Sequence, residues 1–127
     1  MSYAAVRQYE SASNRVLVDE VSPQRLTGML FEGALTRLAT ARGAMARGET
    51  AAKLRAISGT VAIIEHLRGC LDMQAGGGIA RNLDAIYDYV LRRLVHANVM
   101  NDTAVLDEVA DLLRPLAEAW DQIGHGR

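Results

Sequence analysis

Apolar residues recur at steps of three and four along most of this chain, and the breaks in that rhythm mark out four helices. Ser22-Pro23 reads as a helix start, because the serine hydroxyl can accept from a free first-turn amide and proline fits the first helical position. Leu26, Leu30, Ala34, Leu38, Ala41 and Met45 then form one stripe, which Gly48 ends. Thr50 is placed to cap a second helix, with Leu54, Ile57, Val61, Ile64 and Leu71 along one face. Gly76-Gly77-Gly78 interrupts the pattern, which resumes at Ile79 through Leu83, Ile86, Tyr87, Val90, Leu94 and Ala97 and stops near Asn98 to Asn101. Asp102 or Thr103 can cap the last helix, where Leu106, Val109, Leu113, Leu116, Trp120 and Ile123 alternate as in a bundle seam. Pro115 lies inside that helix. It removes one backbone hydrogen bond and crowds the preceding turn, at a cost of up to about 3 kcal/mol, which predicts a kink near Asp111 to Pro115.

Four amphipathic segments with short connections predict an all-α fold, an antiparallel four-helix bundle forming a single domain over residues 22–127. Residues 1–21 differ in character. Val6, Tyr9, Val16, Leu17, Val18 and Val21 are too sparse for a core of their own but sufficient to dock along a groove, so a short, loosely held N-terminal helix is expected there. The length of 127 residues suits one domain. With 50% hydrophobic but only 5% aromatic residues, the core must be built from aliphatic side chains and alanine, which favours packed helices over a sheet.

Charge narrows the function. A formal net charge of −1, from 14 basic and 15 acidic residues, supplies no field for a polyanion, so nucleic acid is an unexpected partner. The N-terminus lacks an apolar signal region, and no segment reaches the roughly 18 uncharged apolar residues of a membrane span. A soluble, cytosolic protein is expected. The single cysteine, Cys70, has no internal disulfide partner, in keeping with a reducing compartment.

The sequence offers no catalytic constellation. A di-metal bundle site needs Glu-x-x-His pairs, whereas Ile63, Arg93 and Gln122 stand three residues before His66, His96 and His125. The triple glycine has neither the lysine nor the Ser/Thr of a phosphate-binding loop and reads as a turn. Neither a metal nor a cofactor is expected. Arg92 and Arg93 have Asp84, Asp88 and Glu108 as candidate ion-pair partners, giving a solvated face. Tyr87 and Tyr89 stand about 200° apart on a helix, so one belongs to the core and the other to the surface or a contact.

Apolar residues exceed what one seam requires. Phe31 and Leu35 lie beside the main stripe of the first helix, and Ala56, Thr60, Ile63, Leu67 and Cys70 trace a second line on the next. Two stripes need two partners: either a third helix of the bundle, or an amphipathic segment of another protein received in a shallow groove.

Several of these residues also carry a family resemblance. Ser22-Pro23, Leu26, Met29-Leu30-Phe31-Glu32-Gly33-Ala34, Leu71-Asp72, Gly76-Gly77, Asn82-Leu83, Ile86-Tyr87-Asp88-Tyr89, Arg92-Arg93-Leu94, Ala97-Asn98 and Trp120 stand in an order and spacing that resembles the FliS flagellar secretion chaperones. The resemblance covers nearly the whole chain. It implies a non-enzymatic cytosolic bundle that binds the disordered C-terminal segment of flagellin, prevents premature polymerisation, and aids delivery to the flagellar type III export gate. It also implies that Val6 and Tyr9 belong to an N-terminal latch over the groove. The client-binding set expected on this basis is Val6, Tyr9, Phe31, Leu35, Ala56, Thr60, Ile63 and Leu67, with Phe31, Leu35, Ile63 and Leu67 as the floor. A regulatory module that sequesters another flagellar protein, such as an anti-sigma factor, is the alternative. Two positions depart from the family pattern: Gly78, where a glutamate is common, and Pro115, where related chains continue a plain helix.

Overall fold

The computed structural model describes residues 22–125, which form four helices: α1 (Pro23–Arg47), α2 (Thr50–Gly69), α3 (Gly77–Met100) and α4 (Thr103–His125). The expected N-terminal helix, with Val6 and Tyr9, lies outside the described residues.

The helix ends follow local chemistry. The Ser22 hydroxyl accepts from the Arg25 amide at 3.1 Å, and Pro23 occupies the first turn. At the other end of α1, Gly48 takes a left-handed φ of 71°, and its amide reaches the last carbonyls of the helix. Thr50 is not a cap. The cap position falls on Glu49, whose carboxylate is drawn to Arg47 at 2.6 Å instead of to the helix amides. Helix α3 begins two residues before the expected Ile79. Asp72 Oδ1 accepts from the amides of Gln74 and Ala75, and the turn it makes brings Gly76 against Asp72 and Ala80. A Cβ at Gly76 would lie 2.8 Å from the Asp72 carbonyl oxygen and 2.6 Å from the Ala80 Cβ, so the close approach requires glycine. Asp102, not Thr103, caps α4, its Oδ1 accepting from the Ala104 amide at 3.0 Å. Helix α4 runs continuously through Pro115, which is exposed, as is Asp111 one turn before it.

Neighbouring helices run antiparallel, as cross-links at both ends of each pair require. Arg42 near the end of α1 bonds Asp107 near the start of α4 at 2.8 Å, while Gly28 near the start of α1 lies against Trp120 near the end of α4. Lys53 at the start of α2 reaches Asn98 and Asn101 at the end of α3, and Arg68 at the end of α2 reaches Asp84 and Asp88 in the first half of α3. Helix α1 packs extensively on α2 and α4; α3 packs on the same two neighbours more lightly.

The core combines Phe31, Leu38, Ile64, Val90, Leu94, Leu106, Val109 and Leu113 with a set of alanines on α1 that lets the helices approach. Phe31 and Tyr87 set their rings 6.4 Å apart across the bundle, tilted by 36°. The surplus stripe on α2 packs inside the fold: Ala56, Thr60 and Leu67 are buried, since α2 has two helical neighbours to face. Thr60 satisfies its hydroxyl by donating to the Ala56 carbonyl one turn back, at 2.9 Å.

Candidate functional site

The residues expected to form one groove floor occupy different environments. Phe31 is 0% exposed and belongs to the core, as do Ala56, Thr60 and Leu67. Leu35 and Ile63 retain partial exposure but face different seams. Leu35 lines a crevice between α1 and α4 with Ala39, Leu106 and Ala110. Ile63 lies by the α1–α2 seam, where a side chain at Gly33 would meet its Cδ1 at 3.6 Å. Gly33 and Leu35 are two residues apart on α1, about 200° around the helix, which separates the two positions.

The seam between α2 and α3 holds a more continuous apolar surface. Towards the start of α2, Leu54, Ile57, Ser58 and Val61 face Leu94, Val95 and Asn98 across an open groove. Leu54 is 50% exposed, Val95 62%, Val99 73% and Met100 63%. Side chains of this size, adjacent and uncovered, form an apolar patch of the kind that marks a binding surface. The opposite end of the seam opens into a cavity of about 430 Å³ lined by Leu67, Leu71, Ile79, Leu83, Tyr87 and Trp120, with Cys70 and Asp72 at its wall. Arg68 crosses the seam on the side of this cavity, bonding Asp84 at 2.7 Å and Asp88 at 3.4 Å.

Polar groups hold this frame together on both sides of α3. Arg92 pairs with Asp88 one turn back and lies 5.8 Å from the centre of the Tyr89 ring. The Tyr89 hydroxyl and Arg93 both donate to Glu108 on α4, at 2.9 and 2.8 Å, and hold its carboxyl below the usual range. Asp84, expected as a partner for the arginine pair on its own helix, instead reaches Arg68 on α2. Tyr87 is the buried tyrosine, its phenol pushed up to about 12 by burial and, secondarily, by Cys70.

This arrangement presents a surface. Among the described residues, no group of three or more His, Cys, Asp or Glu side chains could hold a metal ion, and no helix is long and apolar enough to cross a membrane. Cys70, just past the end of α2, and His66 one turn before it approach at 3.7 Å as a pair.

Val95, Val99 and Met100 lie outside the expected contact residues, yet a signal for the two valines exists. Leu91, Val95 and Val99 recur at i, i+4 and i+8, about 100° from the buried line of Val90, Leu94 and Ala97. Leu54 shares by its spacing one face of α2 with Ile57, Val61 and Ile64, but it stands at the edge of that seam, where the lightly packed α3 leaves it uncovered.

The family model for the flagellar protein FliS matches residues 4–127. The chain is 45% identical over 121 residues to the flagellar secretion chaperone FliSB of Pseudomonas aeruginosa, covering 95% of this chain and 96% of that protein. It is 41% identical over 121 residues to the flagellar secretion chaperone FliS of Salmonella typhimurium, covering 94% and 90%. The Bacillus subtilis flagellar secretion chaperone FliS is 30% identical over 118 residues, covering 93% and 87%.

Proposed function

The chain belongs to the FliS family, and from that premise we propose that it is a cytosolic flagellar secretion chaperone that holds the disordered C-terminal segment of flagellin until export. The observation that carries the flagellin reading is the uncovered apolar surface along the α2–α3 seam, where Leu54, Val95, Val99 and Met100 stand half or more exposed. A disordered tail whose apolar faces would pair with other subunits finds equivalent burial on this seam. It gives up conformational entropy in return, so affinity is the surplus of apolar burial over that ordering cost. The step is binding alone and needs no nucleotide, metal or catalytic group.

On this reading the tail lies along the α2–α3 seam between the cavity at Leu71 and Trp120 and the Leu54 end, with Leu35 and Ile63 available beside it on the neighbouring seams. Phe31, Ala56, Thr60 and Leu67 support that surface from beneath. Val6 and Tyr9 act as a movable cover that the client displaces, and the loaded bundle is then presented to the export gate.

Titration calorimetry with the C-terminal segment of flagellin from the same organism tests the proposal. One-to-one binding with a negative heat-capacity change is expected. Fully burying a valine is worth about 1.5 to 2 kcal/mol, so covering the 62% of Val95 left exposed contributes about 1 kcal/mol, or roughly fivefold in Kd. Val95→Asp should weaken binding by more than that, because it buries a charge, while leaving the melting temperature near wild type. A folded protein that releases no heat with the flagellin segment refutes the assignment of the client.

A further inference from the structure

Among the described residues, one cation beside the α2–α3 groove has no acidic partner. Lys53 is half-buried, and its ammonium donates to the Asn98 carbonyl at 3.2 Å and to Asn101 Oδ1 at 3.1 Å, both neutral oxygens. The carboxylates one turn before it and beside its partner Asn101 are otherwise engaged. Glu49, one turn before it, bonds Arg47 at 2.6 Å, and Asp102 receives the Ala104 amide and faces His96 at 3.9 Å. An ammonium carries three donors, and the two bonds to Asn98 and Asn101 leave the third for a ligand. Asn98 is itself a lining residue of the groove, so the charge sits within hydrogen-bond reach of the apolar surface that Leu54 and Val95 define.

The position of Lys53 narrows what that ligand is. It stands in the first turn of α2, opposite the last turn of α3, where the groove runs out. A chain lying on the groove must end or turn away here. Resting on the reading of the client as a C-terminal segment, we infer that Lys53 receives the terminal α-carboxylate of that segment and so sets the direction in which it lies. The α-carboxylate is the one negative charge that every C-terminal segment carries, whatever its side chains. The Asn98 and Asn101 oxygens hold the ammonium in place without neutralising it, and the apolar residues beside it strengthen the pairing by excluding water.

The test uses the full chain and two synthetic peptides of the flagellin C-terminal segment, identical except that one ends in the free acid and the other in an amide. Wild type is expected to bind the acid about tenfold more tightly than the amide. Lys53→Gln should bind the acid about tenfold more weakly than wild type and no longer distinguish the two peptides, whereas Lys53→Arg should restore the preference; circular dichroism confirms that both variants fold. Tight binding that neither amidation nor Lys53→Gln changes overturns the role of Lys53 and leaves the client intact. If Lys53→Gln weakens both peptides equally while wild type ignores amidation, an acidic side chain of the client is the partner, and the terminal-carboxylate assignment falls. Failure of both peptides to bind any folded form overturns the client reading together with the inference.

Discussion

Replacing Phe31 with alanine separates a core role from a contact role, because the two give opposite results. Phe31 is 0% exposed, belongs to the core cluster, and meets Tyr87 at a ring distance of 6.4 Å across the bundle. Truncating a fully buried phenylalanine removes its transfer free energy and leaves a cavity that a close-packed core only partly refills, together costing about 3 to 5 kcal/mol. A domain of this size has a total stability of about 5 to 15 kcal/mol, so the loss is a large fraction of the whole. At about 2.1 cal/mol/K per residue, 127 residues give an unfolding entropy of about 0.27 kcal/mol/K, and the melting temperature should fall by about 10 to 20 °C. Thermal and urea unfolding followed by far-ultraviolet circular dichroism measure this, with the urea slope expected to stay constant. At a temperature where the variant is still folded, its affinity for the flagellin segment should stay within about threefold of wild type. A melting temperature within about 3 °C of wild type, joined to a large loss of affinity, would refute the core assignment and return Phe31 to the groove floor.

Three further outcomes are expected. Gly48→Ala forces a β-carbon onto a φ of 71° and should lower stability by about 1 to 2 kcal/mol, read from the urea midpoint; an unchanged midpoint would show that this turn relaxes freely. The Glu108 carboxyl is held below its usual range by Arg93 and Tyr89, so the stability it contributes is complete above about pH 4.5 and declines as the pH falls through its lowered folded value. Glu108→Gln should therefore flatten the acid limb of a melting-temperature-versus-pH profile, and an unchanged limb would assign acid sensitivity to other carboxyls. Tyr87 has the opposite sign. Its phenol is pushed from 10 up to about 12, so the stability linked to it is present below pH 10 and lost as the pH rises from 10 towards 12. The difference in absorbance titration at 295 nm between wild type and Tyr87→Phe should show no ionisation of this phenol near pH 10.

Local structure was legible in the sequence because its causes are local. Ser22-Pro23 and Gly48 set the ends of α1 through hydrogen bonds and a backbone conformation confined to a few neighbouring residues. The three-and-four spacing placed all four helices for the same reason: a side chain's face follows from its number alone. The departures were equally local, Glu49 being drawn to Arg47 and Asp72 organising the glycine turn.

Which apolar stripe stays uncovered is a different kind of question. Phe31 and Val95 are both large apolar residues beside a seam, and nothing in their neighbours along the chain distinguishes them. Phe31 faces Tyr87 from the opposite side of the bundle and is buried, whereas Val95 lies at the edge of the more lightly packed α3 and is open. The second stripe of α2 likewise took its role from α2 having two helical neighbours to face. Lys53 shows the same division in charge, since its neutral partners, Asn98 and Asn101, stand 45 and 48 residues further along the chain. The sequence by itself determined the four helices, the ends of α1 and, through the short connections, the antiparallel order of neighbours, because those depend on residues close together in the chain. Only the tertiary structure decided which faces are core and which remain for a partner, because exposure is set by what every other helix covers.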